Sequence, residues 1–124
     1  MILLKTYVSI NKEIVKALSP IIPISHLNYT GTSKDYATFE VSSRQKALEA
    51  SGENFGIDCY GYIDVFTASD PSREQDSLIE KIDSALEERD ISVVTIRGTE
   101  YVQSMNCYHT EITFRKVVQR KDVT

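Results

Sequence analysis

Four residues of this 124-residue sequence belong to the types that ligate transition metals: His26, Cys59, Cys107 and His109. Thiolate and imidazole together would make a zinc set, yet no two of them stand at a ligand spacing such as C-x2-4-C, and no metal is expected. His109 and Glu111 lie two apart in an alternating run, so they would project from one strand face and could form an acid–base pair. A surface histidine beside a carboxylate is the simpler reading. Glu87, Glu88 and Asp90 cluster at a helix end, where water satisfies them. The chain has no glycine-rich phosphate loop, no G-x-S-x-G elbow and no H-E-x-x-H. The sequence thus points to no catalytic residue, no cofactor and no metal, and to a protein that is not an enzyme.

What it does contain is the stretch "FGIDCYGYIDVFT", residues 55–67. Phe55, Ile57, Cys59, Gly61, Ile63 and Val65 would share one face of a strand, and Asp58, Tyr60, Tyr62 and Asp64 the other. The first set wants a core. The second, of rings and carboxylates, wants a use.

The surrounding elements must position that strand. Leu3, Tyr7, Ile10, Ile14 and Leu18 recur at helical spacing, and Pro20 and Pro23 end the helix, which places an N-terminal helical segment over residues 1–20. "YATFEVS" alternates Ala37, Phe39 and Val41 against Tyr36, Thr38 and Glu40. Residues 43–54 are polar or small and read as a long loop. Asp70 and Pro71 then look like a helix start, followed by the stripe Leu78, Ile82 and Leu86 and an end near Arg89 and Asp90. "ISVVTIRG" and "CYHTEITFRKVV" are the last strands, and residues 119–124 read as a frayed terminus. The expectation is a single α+β domain over residues 1–124, in the order α-β-β-α-β-β. Its mainly antiparallel or mixed sheet of about four strands carries two helices packed on one face. The tyrosine face is left uncovered.

Composition narrows the uses of that face. The net charge of −4 argues against sequence-independent nucleic-acid binding, which needs clustered Lys and Arg. Seven tyrosines and no tryptophan suit surfaces with one dry and one wet side. Lys5 interrupts the first apolar run, no window approaches the ~20 apolar residues of a membrane span, and the two cysteines read as free and buried. A soluble intracellular protein with no membrane partner is expected.

The strand "YATFEVSS", the polar excursion after it, "GYIDVFT", the helix "LIEKIDSALEERDISVV" and the closing "YHTEITFRKV" resemble, in that order, the tail terminators of long-tailed bacteriophages. These are also called tail completion or tail-to-head joining proteins. The resemblance covers roughly residues 3–118 and rests on strand patterns, with no catalytic signature. It implies a sheet with two helices related to tail-tube subunits, in a virion structural protein assembled in the host cytoplasm. It also implies a hexameric ring, monomeric when dilute, on the head-proximal end of the tail tube. Such a ring stops tube polymerisation, docks the head completion or connector protein, and lets genomic DNA pass without specific binding. The chain departs from the family in its short N-terminal segment and in a 43–54 loop with few hydrophobics.

On that reading Tyr36, Tyr60, Tyr62 and Arg115, with Arg44 and Lys46 from the loop, are the candidate subunit and partner contacts. Glu40, Asp58, Asp64 and Glu111 are candidates to face the channel. Three other readings stay open. The second face is simply solvated, as in many antiparallel sheets. Or the chain is a small α/β sandwich that binds a ligand on its tyrosine face. Or it is a single-stranded nucleic-acid platform that stacks bases on Tyr60 and Tyr62.

Overall fold

The computed structural model describes residues 2–47, 56–71 and 77–119. Helix α1 runs over Ile2–Leu18, and the chain then forms strands β1 (Ile24–His26), β2 (Tyr36–Ala47) and β3 (Gly56–Thr67). Helix α2 (Leu78–Glu87) leads to β4 (Ser92–Val102) and β5 (Cys107–Gln119). The five strands form one mixed sheet in the order β1-β2-β3-β5-β4, antiparallel throughout except for β1 beside β2.

The α+β class is as expected, but the sheet has five strands rather than about four. The added strand is β1, whose three residues pair with Ala37, Thr38 and Phe39. Pro23 at its start and the short run "ISH" left no alternation to read, and only pairing with β2 makes this segment a strand.

A second correction concerns the predicted loop at 43–54. β2 continues through Ala47, and residues 48–54 lie outside the described residues. The register shifts between Val41 and Ser43, so Ser42 is the extra residue of a bulge. Beyond it Ser43 pairs with Tyr60, Arg44 with Cys59 and Lys46 with Ile57. The slip breaks the alternation that identifies the first half of the strand, and the second half is polar.

Helix α2 also starts later than Asp70 and Pro71 suggest. Its N-cap is Ser77, whose hydroxyl donates to the Pro71 carbonyl at 2.8 Å instead of capping the first turn. The helix ends where expected: Asp90 takes a left-handed φ of 57°, and Ile91 N–H returns to the Leu86 carbonyl at 3.0 Å. Gln119 closes β5, and the rest of the expected frayed terminus lies outside the described residues.

One core joins both helices to one face of the sheet. Ile10, Ile14 and Leu18 of α1 and Ile79, Ile82 and Leu86 of α2 meet Phe39, Ile57, Ile63, Val65, Ile112 and Phe114. Each such side chain contributes about 1.5–3 kcal/mol on burial, so the face that β3 turns inward is firmly set. At Gly61 any Cβ would collide with the Glu40 carbonyl oxygen and the Phe114 ring, so glycine lets that ring lie across the centre of the sheet. Arg89 on the α2 side reaches Glu13 of α1 at 2.7 Å, and Lys116 Nζ donates to the Arg89 carbonyl at 2.7 Å. Among the described residues no helix is long and apolar enough to cross a membrane.

Candidate functional site

β3 has two faces, as its alternation predicts. Ile57, Cys59, Gly61, Ile63 and Val65 are buried, whereas Asp58, Tyr62 and Asp64 are half-buried and Tyr60 is exposed. Register extends the outer set across the sheet in rows. Tyr36, Phe66, His109 and Glu100 form one row; Thr38, Asp64, Glu111 and Arg97 the next; Glu40, Tyr62, Thr113 and Thr95 a third. Beyond them Ser43, Tyr60, Arg115 and Ser92 share a row, with Gln45, Asp58 and Val117 last.

The first row is a stack of rings. Tyr29 lies on Tyr36 (centroids 4.4 Å apart), Tyr36 on Phe66 (5.0 Å) and Phe66 on His109 (4.9 Å), with interplanar angles of 12° to 24°. Such contacts add about 0.5–1.5 kcal/mol each beyond burial. They also spend the ring faces on one another. Burial, with Cys107 and Tyr29 nearby, raises the Tyr36 hydroxyl pKa above its ordinary value.

The next rows are acidic. Asp64 and Glu111 stand directly opposite each other, a pairing that repels. His109 Nε2 lies 2.8 Å from Asp64 Oδ1 and donates to it, while Arg97 flanks Glu111 on the other side. Tyr62 donates its hydroxyl to Glu40, and that bond, ahead of burial and the Glu40 charge, raises the Tyr62 pKa. Arg115 binds Asp58 through two hydrogen bonds of 2.9 and 3.0 Å and lies 5.6 Å from the Tyr60 ring centroid. The hydrogen bonds to Asp58 hold the exposed guanidinium above its ordinary pKa.

The structure thus gathers most, but not all, of the residues singled out from the sequence. Tyr36, Tyr60, Tyr62 and Arg115 share the uncovered face with Glu40, Asp58, Asp64 and Glu111. Arg44 and Lys46 pair with Cys59 and Ile57, so the bulge assigns them to the register of the helix-covered face. The Cys59 thiol there is pushed up to about 11 by burial, against the opposing charge of Arg44, and is inert at neutral pH. Sequence reasoning missed Tyr29 and Phe66 in the stack. Phe66 carried a signal, since it shares the parity of Tyr60 and Tyr62; Tyr29 carried none, because it precedes β2 in an irregular segment.

It also missed the outer edge strand. Val94, Ile96 and Tyr101 on β4 and Met105 in the following turn are exposed. At that end of the sheet, Lys34, Tyr36, Tyr101, Met105 and Cys107 line an open concavity of 570 Å3. Among the described residues, no group of three or more His, Cys, Asp or Glu side chains could hold a metal ion.

No family model matches this chain, and no curated protein matches it. Among solved structures, it is similar to a chain of the virion of a native gene transfer agent (GTA) particle. The two superpose with a TM-score of 0.53 at 10% identity, over 86% of this chain and 84% of the other. The likeness is one of fold. It covers the sheet and both helices without carrying over any particular side chain.

Proposed function

We propose that this chain is a structural, non-enzymatic protein of a tailed phage-like virion. As a six-membered ring it caps the head-proximal end of the tail tube, stops tube polymerisation and presents the surface that joins tail to head. The observation that carries the reading is the uncovered sheet face, where Tyr60 and Arg115 stand exposed beside rows of carboxylates. A wall of this kind suits a channel for DNA. Glu40, Asp58, Asp64, Glu100 and Glu111 outnumber Arg97 and Arg115 on it, so passing phosphates are repelled rather than held. The partners on this reading are further copies of the chain, the tube protein and the head completion protein. The fold shared with a virion chain supports the same class of role.

The base-stacking alternative draws less support. The ring faces of Tyr36 and Phe66 are already taken up by neighbours, and the carboxylates oppose a phosphate backbone. Native mass spectrometry and negative-stain images, of concentrated protein and of tails carrying it, test the proposal. Six-fold rings at tail ends are expected. A closed dimer that persists on tails would contradict it.

A further inference from the structure

The sheet ends in two unlike edges. On one side β4 pairs only with β5 among the described strands, leaving its outer backbone groups without a strand partner. Its apolar side chains stand in the open, with Val94 50% and Ile96 46% exposed. The strand "SVVTIRGTEYV" contains neither lysine nor proline, the usual guards of an exposed edge. On the other side β1 pairs with β2 only as far as Phe39, so the outer edge of β2 from residue 40 to 47 meets no described strand. A single chain thus carries two free ladders of similar length, since the β4 register is regular from Thr95 to Arg97 and breaks before Glu100.

Their directions match. β2 is antiparallel to β3, β3 to β5 and β5 to β4, so β4 runs opposite to β2. Repeating the chain around an axis along the strands brings β4 of one copy against β2 of the next in antiparallel orientation. Closing such a sheet requires tilted strands and a staggered register. The offset is already present, because β1 occupies the beginning of β2 and displaces the free segment towards Ala47. Charges on the uncovered face agree as well: Arg97 on β4 would approach Glu40 on the neighbouring β2.

We propose that copies of this chain join head to tail by adding the β4 edge of one to the 40–47 edge of the next, so that one sheet continues through the assembly. This rests on the ring reading above and names its subunit contact. A head-to-tail contact is heterologous and closes only as a ring, whereas β4 meeting β4 would be isologous and stop at a dimer. Main-chain hydrogen bonds supply the adhesion, as in other strand-addition interfaces. Val94 and Ile96 lose their exposure to water.

The test places Thr95→Cys and Gln45→Cys, both exposed and on the uncovered face, in one full-length chain and treats concentrated protein with a short bismaleimide. The native thiols Cys59 and Cys107 are buried, and the unaltered chain serves as control. The expected product is a covalent ladder of multimers from the double variant and none from either single variant. Dimers from Thr95→Cys alone would overturn the proposal in favour of β4 meeting β4. Rings visible by native mass without a ladder would overturn the contact and leave the ring intact. A chain that stays monomeric at every concentration and on tails would overturn both. As a second arm, the double change Val94→Lys and Ile96→Lys should leave circular dichroism unchanged and reduce rings about tenfold or more. Undiminished rings from that variant would also count against the contact.

Discussion

The two faces of one sheet use the same strands for opposite purposes. On the helix-covered face Ile57, Cys59, Ile63 and Val65 are fully buried, and their neighbours are other apolar side chains. On the uncovered face, two residues away at each step, Tyr62, Asp64 and His109 are held by hydrogen bonds and ring contacts that stay in reach of water. The first face obtains its energy from excluding solvent. The second obtains order without much energy, since exposed ion pairs contribute only about 0–1 kcal/mol. A face that is ordered but not needed for the fold is free to serve assembly.

The sharpest way to break that comparison is to put the wrong side chain on the buried face. Ile63→Ser leaves a cavity and a hydroxyl without a partner, and should cost about 3–5 kcal/mol. That is a large part of the ~5–15 kcal/mol that holds a typical domain together. Urea unfolding should place this variant near the edge of foldedness.

Tyr60→Ser with Tyr62→Ser, on the opposite face of the same strand, should cost no more than about 1 kcal/mol. Tyr60 is exposed, and Glu40 can turn to water when Tyr62 is lost. Assembly should suffer instead, read as fewer rings by native mass, because tyrosine anchors are over-represented among the residues that dominate interfaces. Equal destabilisation by both variants would mean the face is part of the core.

The smallest effect concerns the Tyr62 proton. Its pKa is raised above the ordinary 10.0 chiefly because the neutral hydroxyl donates to Glu40. The bond's stabilisation is therefore complete below pH 10 and is lost as pH rises through the higher folded value. Tyr62→Phe should flatten the fall in stability over that alkaline window and change little at neutral pH. Thermal unfolding of both proteins across the window measures it.

Much of this contrast could be read from residue order. The strict alternation of β3, the helical stripe Ile10, Ile14 and Leu18, and the stripe Leu78, Ile82 and Leu86 each state a period that burial enforces. What could not be read depends on pairing. β1 is a strand because β2 lies beside it, and the bulge at Ser42 reverses the faces of all that follows, which carried Arg44 and Lys46 away from the tyrosines. The start of α2 was misplaced for a local reason: "SDP" carries the cap chemistry, but the hydroxyl of Ser77 is drawn to the Pro71 carbonyl and the helix begins after it. The exposed edge of β4 was hidden because Val94 and Ile96 look like core residues until the strand order puts them last.

Hydroxyl-radical footprinting of the dilute chain against the assembled one tests the central claim most directly, because it reads side-chain exposure on both faces at once. The account predicts that Tyr60, Val94 and Ile96 lose reactivity on assembly, while Val15, exposed on α1, keeps its own. Protection of Val15 with Tyr60 and Ile96 unchanged would mean that the helices make the contacts, and would contradict the assignment of the uncovered face and its edge to assembly.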